Sequence, residues 1–304
     1  MLAAGLDPAN PKPVDSVNFE EVAREWIKSR IDWSPAHLSR IMSRIEDDLI
    51  PEFGHIAVSQ LDAPTILAAL RKVEGRGALE VAKRLRQTIG QIMRYAIATG
   101  RASRDPAADL RGAMKPSPRV RHMAALREND LPEFLNKLDA YEGDLRTRLA
   151  IELVMRTFVR TGEIRGARWS EIDGDLWRIP EARMKMGREH VVPLPPQTLD
   201  VLERLKALGD PEFVCRMSEN TMLYAMYRMG YHSRATIHGF RSTASTILNE
   251  SGLWSPDAIE RQLAHVPGNV VRSAYNAAQY LPERRKMMAW WNDFLDQKKA
   301  SAAS

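Results

Sequence analysis

Thr157-Phe158-Val159-Arg160-Thr161-Gly162-Glu163, then Trp169-Ser170-Glu171-Ile172-Asp173, sets an arginine and an acid three residues later at the end of an apolar helical run over 145–160. Three further segments follow it in order. Leu176-Trp177-Arg178-Ile179-Pro180 and His190-Val191-Val192-Pro193-Leu194 are short β-rich runs, and Lys185 lies in the Met-Lys-Met-Gly stretch between them, so the pair reads as a hairpin. His238-Gly239-Phe240-Arg241 comes next, and Leu263-Ala264-His265 precedes Tyr275 by ten residues from the histidine. Everything around the hairpin has helical periodicity. The spacing predicts helices near 131–138, 196–207, 219–229, 238–250, 256–264 and 283–297. The expected fold is mainly α with a small β-sheet or hairpin, set in the second of two domains.

Working outward, residues 18–112 read as an all-helical first domain. Phe19, Val22, Ala23, Trp26 and Ile27 form the stripe of a first helix starting at Asn18. Ser34-Pro35 is an N-cap with a first-turn proline, opening a helix that runs to about Leu49 and that Pro51 stops. Asp62 and Pro64 open a third helix, ended by Gly75 and Gly77. A fourth runs from about Ala78 to Thr99 and closes at Gly100. Residues 1–17 show no periodicity and are expected to be an unstructured lead-in, and 113–124 are expected to be a basic linker, because Pro116 and Pro118 interrupt helix formation between cations. Residues 125–304 form the second domain.

The 304 residues suit two domains that each bury a core. No apolar run of about 18 residues exists, so no membrane span is expected, and the first residues do not resemble a secretion signal. Cys215 is the only cysteine, which excludes an intrachain disulfide and a cysteine-based zinc site; a buried thiol in a reducing cytoplasm is expected. The formal charge of +5 is weak evidence for an anionic partner. A local bias says more: Arg76, Lys83, Arg84, Arg86, Arg94, Arg101 and Arg104 are accompanied between 76 and 104 by one acid, Glu80. Such a face fits DNA phosphates or a solvated helix surface equally well. The candidate DNA contacts are Lys83, Arg84, Arg86 and Arg94 on that helix, and Lys115, Arg119 and Arg121 in the linker.

The four segments together resemble the catalytic domain of tyrosine recombinases, the phage-integrase family. The tail Ala274-Tyr275-Asn276-Ala277-Ala278-Gln279-Tyr280-Leu281-Pro282-Glu283-Arg284-Arg285-Lys286-Met287-Met288-Ala289-Trp290-Trp291 resembles most the group encoded by satellite phages and genomic islands. The resemblance covers roughly 18–297, and an ordered set of Arg, Lys, HxxR, His and Tyr is far more specific than any one motif. It implies a helical core-binding domain, a catalytic domain, and a reaction that cleaves and rejoins DNA through a 3′-phosphotyrosine without cofactor or metal. That group usually carries a further N-terminal domain for arm sites, which nothing here matches.

The resemblance implies that Arg160, Lys185, His238, Arg241, His265 and Tyr275 are catalytic and that Glu163 supports Arg160. Chemistry agrees. Attack on a phosphodiester places charge on its non-bridging oxygens, and two guanidinium forks answer that charge at any working pH. Arg160 is preferred to Arg165 because it precedes an acid by three residues and Trp169 by nine. A phenol needs its proton removed to attack, and the departing 5′ oxygen needs one supplied. Lys185, eight residues before Pro193, suits the second task, though a solvated hairpin lysine is the plain alternative; Arg183 and Arg188 beside it are candidate phosphate contacts. Tyr280 competes with Tyr275 for the role of nucleophile. His232, His238 and His265 fit no common zinc spacing.

The implied partners are double-stranded DNA attachment sites, further copies in a homotetramer on DNA, and DNA-bending and excision accessory proteins. Met287, Trp290, Trp291, Phe294 and Leu295 share one face of the last helix, which suits either its own domain or a neighbouring protomer. A non-catalytic DNA-binding protein of this fold and a type IB topoisomerase are the alternative functions.

Overall fold

Asn18 starts the first helix by exchanging hydrogen bonds with Glu21. Its side-chain oxygen accepts from the Glu21 N–H at 2.9 Å, while the Glu21 carboxylate accepts from the Asn18 N–H at 3.3 Å. In the computed structural model, which describes residues 17–116, 124–185, 187–265 and 279–301, this capping box opens α1 (Phe19–Lys28). The chain divides into two compact units, Met1–Val120 and Arg121–Ser304.

The first unit continues with α2 (Pro35–Asp48), α3 (Ile50–Phe53), α4 (Ala63–Gly75) and α5 (Leu79–Ala98). Ser34 and Asp62 cap α2 and α4 by accepting the N–H of His37 and Thr65. Pro51 does more than end α2: it stands in the first turn of the short α3, where a missing N–H costs nothing. The expected stripe of α1 is buried, with Phe19 edge-on to Phe53 at 4.8 Å between ring centroids.

The second unit contains α6 (Leu131–Asp139), α7 (Leu145–Thr157), α8 (Thr161–Arg165), β1 (Ile172–Asp173), β2 (Leu176–Ile179), β3 (His190–Pro193), α9 (Pro196–Lys206), α10 (Thr221–Arg228), α11 (Gly239–Glu250), α12 (Pro256–Gln262) and α13 (Leu281–Ala300). The fold is mainly α with one small sheet. Its antiparallel order is β1-β2-β3, with Trp177 opposite both Ile172 and Val192, and Ile179 opposite His190. The sheet therefore has one strand more than the predicted hairpin. β1 has two residues, too few to show an alternating pattern. The β2–β3 connection is also no tight turn: it spans 180–189 and includes a 3-10 turn at Glu181–Arg183.

Helix α13 packs on its own unit. Met287, Met288, Trp291 and Leu295 are buried in its core, Trp290 and Phe294 are partly buried against the same cluster, and the Trp291 indole N–H donates to the Met155 carbonyl at 2.9 Å. Each such fully buried large side chain contributes on the order of 1.5–3 kcal/mol. Cys215 is also buried in this core, its Sγ 3.4 Å from the Ile164 carbonyl, and burial pushes its thiol up to about 12.

Candidate active site

Helix α7 stops because Phe158 adopts a left-handed backbone, φ 60°. For a bulky residue that conformation costs on the order of 1–3 kcal/mol and must be held by its surroundings. The Phe158 ring meets Trp291 edge-on at 5.1 Å, and its carbonyl accepts a hydrogen bond from Arg241 Nη1. The turn delivers Arg160 to the start of α8. There the Arg160 N–H donates to Glu163 Oε2 at 2.7 Å, and its guanidinium donates from Nη1 to Glu163 Oε1 at 2.8 Å. Glu163 is only 3% exposed, so this carboxylate fixes both the backbone and the fork of Arg160. The remaining Nη2 donates to the Ala264 carbonyl at 3.2 Å.

Arg241 lies in the first turn of α11, 4% exposed. It donates to the carbonyls of Phe158 and Leu263 and touches no carboxylate among the described residues; its Nε has no partner among them. Burial, and then the neighbouring charge of Arg160, pulls its pKa down to about 10, which leaves it charged at neutral pH. Its Nη2 stands 3.2 Å from His265 Nε2, and His265 Nδ1 stands 2.8 Å from Glu260 Oε2. A guanidinium only donates, so Nε2 accepts from it. In the neutral ring the proton then sits on Nδ1 and points at Glu260. Arg160, Arg241 and His265 are thus brought together by α8, α11 and the end of α12.

His238 immediately precedes α11 and is exposed. Partial desolvation, followed by the charges of Arg241, Arg160 and His265, lowers its pKa from the ordinary 6.5 and favours the neutral ring. Gly239 beside it has no room for a side chain, since an added Cβ would lie 2.2 Å from the Ala124 carbonyl oxygen. Lys185 is exposed on the β2–β3 connection and makes no contact with the arginine cluster among the described residues.

Three of the cations expected to contact DNA have partners within the chain. The Arg183 guanidinium pairs with Glu171, which is 7% exposed, and donates to the Glu163 carbonyl, fastening the hairpin to α8. Arg94 is ion-paired with Asp105 at 2.9 Å. Arg86 is half-buried and donates to the Ala107 carbonyl at 3.3 Å. Lys83, Arg84, Lys115 and Arg188 are exposed. The predicted positions of Tyr275, Arg119 and Arg121 lie outside the described residues. The hydroxyl of Tyr280, the rival nucleophile, faces Asp257 Oδ2 at 3.5 Å.

The sequence reading missed Glu260, Gln262, His190 and Arg284. Glu260 had a usable signal, one helical turn and a little more before His265. His190 was read only as a strand residue, yet it is 1% exposed with neither ring nitrogen partnered among the described residues. Its pKa is lowered well below 6.5 by burial first, then by Arg284, Arg261, Arg241 and Arg160.

Comparison with known proteins agrees over nearly the whole chain. Residues 19–113 match the phage integrase central domain, and residues 124–281 match the phage integrase family. The integrase of Enterobacteria phage P4 is 41% identical over 331 residues, covering 98% of this chain and 75% of that protein. The integrase of Shigella phage Sf6 is 35% identical, with 98% and 80% covered. Among solved structures, a lambda integrase (75–356) dimer bound to a core site superposes with a TM-score of 0.68 at 20% identity, over 86% of this chain and 96% of that one. The Tn1549 transposon integrase in complex with circular intermediate DNA gives 0.62 at 14% identity, over 90% and 99%. The chain belongs to the phage integrase family and is a tyrosine-type site-specific recombinase.

Proposed function

We propose that this recombinase binds double-stranded attachment-site DNA and cleaves it with Tyr275, held in a pocket made by Arg160, Arg241, His238 and His265. The observation that carries this reading is the hydrogen-bonded cluster of Arg160, Arg241 and His265, in which Arg241 is satisfied by carbonyl oxygens and Arg160 by Glu163 and the Ala264 carbonyl. Such a cluster leaves the Arg241 charge uncancelled and holds the Arg160 fork in place for an incoming phosphate.

The Tyr275 phenolic oxygen attacks phosphorus as its proton passes to a neighbouring imidazole. The bond to the 5′ oxygen breaks, that oxygen takes a proton from Lys185, and a 3′-phosphotyrosine remains. The two arginines stabilise charge on the non-bridging oxygens, where losing one such donor typically costs about 10²–10³ in rate. Rejoining reverses these steps with the 5′ hydroxyl of another strand. Lys83, Arg84, Lys115, Arg119, Arg121 and Arg188 contact backbone phosphates, and four copies assemble on the paired sites. DNA-bending and excision proteins are further partners on the DNA.

A nicked suicide substrate that loses its 5′ fragment after cleavage tests the chemistry. Mass spectrometry is expected to find the DNA strand linked to Tyr275, and Tyr275→Phe is expected to bind DNA and form no adduct. A linkage at Tyr280, or an adduct in the Tyr275→Phe variant, overturns the assignment.

A further inference from the structure

Arg284 is fully buried in the first turn of α13, and no carboxylate contacts it among the described residues. Its Nε and Nη2 donate to Gln262 Oε1 at 3.0 and 2.7 Å, Nη2 also to the Val191 carbonyl at 2.6 Å, and Nη1 to the Gln279 carbonyl at 3.2 Å. Gln262 passes the connection on, its Nε2 donating to the Thr157 carbonyl at 3.0 Å. A buried guanidinium without a counter-ion is a costly way to fill space, and an apolar side chain would serve a purely packing role better. The burial also drives its pKa down to about 9, a cost that the folded chain carries.

The groups it joins are the ones the reaction must keep in register. Val191 is on β3, the strand returning from Lys185. Gln262 ends α12, directly before Leu263, Ala264 and His265. Gln279 follows residues 266–278, the span that contains Tyr275. Thr157 precedes the left-handed turn that leads to Arg160. Arg261 ties the same point again, its Nε and Nη2 donating to Gln279 Oε1 at 3.1 and 2.7 Å. One side chain therefore links both flanks of the tyrosine-bearing span to the hairpin strand and, through one amide, to the entry of the arginine segment.

We propose that Arg284 is a positioning residue that holds the nucleophile's flanks, the Lys185 hairpin and the Arg160 turn in one geometry, without itself touching DNA. This rests on the reading of Tyr275 as nucleophile. A structural residue would affect stability alone. A positioning residue affects the rate on DNA already bound, because a displacement near 1 Å costs about 10²-fold in rate.

The test compares Arg284→Lys, Gln262→Glu and a core control, Phe134→Leu, in the whole chain. Phe134 packs on Tyr231 and Phe240, and none of the Arg284 hydrogen bonds involves it. Melting temperature, affinity for an uncleaved site and single-turnover adduct formation at saturating DNA are measured for each, well below all the melting points. Arg284→Lys is expected to slow adduct formation about 100-fold, with affinity changed less than about threefold. Gln262→Glu keeps an acceptor for Arg284 but loses the donor to Thr157, so an intermediate loss of about tenfold is expected. Phe134→Leu should leave the rate near wild type. Hydrogen exchange should quicken at residues 191–194 and 263–265 in Arg284→Lys, a readout that needs no nucleophile. If Arg284→Lys and Phe134→Leu slow cleavage equally for equal thermal shifts, or if exchange at those segments does not change, the proposal is overturned. Peptide mapping of the adduct separates the two readings: linkage away from Tyr275 refutes the nucleophile, while the ratio of rates still decides the role of Arg284.

Discussion

Helix α5 and the pocket around Arg241 are both rich in arginine and handle its charge in opposite ways. Near α5, Arg94 meets Asp105, and Arg76 and Arg101 meet Asp48 and Glu25. Around Arg241 the partners are the carbonyls of Phe158 and Leu263. A carboxylate satisfies a guanidinium and cancels its field. A carbonyl satisfies the hydrogens and leaves most of the net charge. The first arrangement balances most of the local charge; the second keeps a fixed positive potential where charge must develop in a transition state.

The contrast breaks most visibly at Arg241. Lysine cannot fork to both carbonyls, so Arg241→Lys should lower the single-turnover cleavage rate by about 10³, or about 4 kcal/mol, with affinity changed only severalfold. A loss under about tenfold would mean the pocket's charge is not what drives cleavage.

The next effect is on stability against pH. The imidazole of His190 is kept neutral in the folded chain by burial first and then by the nearby arginine charges. Its folded pKa lies below its unfolded value near 6.5, so the stability it supports is intact above about pH 6.5 and is lost as the pH falls toward the folded pKa, by up to about 1.4 kcal/mol per unit. His190→Leu should flatten that acid limb in denaturant melts between about pH 6.5 and 5. Unchanged steepness would show that the His190 ring is not held neutral in the folded chain.

On the α5 side, Lys83→Ala with Arg84→Ala should weaken DNA binding about tenfold at moderate salt and reduce the slope of log affinity against log salt by about 1.8, while the cleavage rate at saturating DNA stays the same. A slope that does not move places the DNA elsewhere. The smallest change is expected from Asp105→Asn. Freeing Arg94 from its exposed pair should alter stability by less than about 1 kcal/mol and tighten binding slightly, as titration at low salt would show.

Local pattern carried the helices, because capping by Asn18, Ser34 and Asp62 and the stripe of α1 are decided within a few residues. The order of Arg160, His238, Arg241 and His265 was legible for a different reason, since their spacing matches a family. Charge balance was not legible. The acids facing Arg101, Arg76 and Arg94 come from residues 25, 48 and 105, so a count over 76–104 overstates the free charge. The Arg183 partner, Glu171, was likewise not legible, since it stands twelve residues earlier, before β1. The turn at Phe158 has no glycine or asparagine to announce it and depends on tertiary contacts alone. Arg284 had a signal: it stands four residues before Met288 and seven before Trp291, on the buried stripe of α13. Its position beside Arg285 and Lys286 gave no local sign of burial.

Cys215 gives the second unit a single chemical reporter. Its sulfur abuts Ile164, one residue from the acid that fixes Arg160, and a thiol pushed up to about 12 carries almost no thiolate at neutral pH. Disulfide-exchange reagents should therefore react only when this core opens. The rate of colour release from the native protein, with and without a DNA ligand, would measure how often the Arg160 scaffold comes apart and whether a bound duplex keeps it shut.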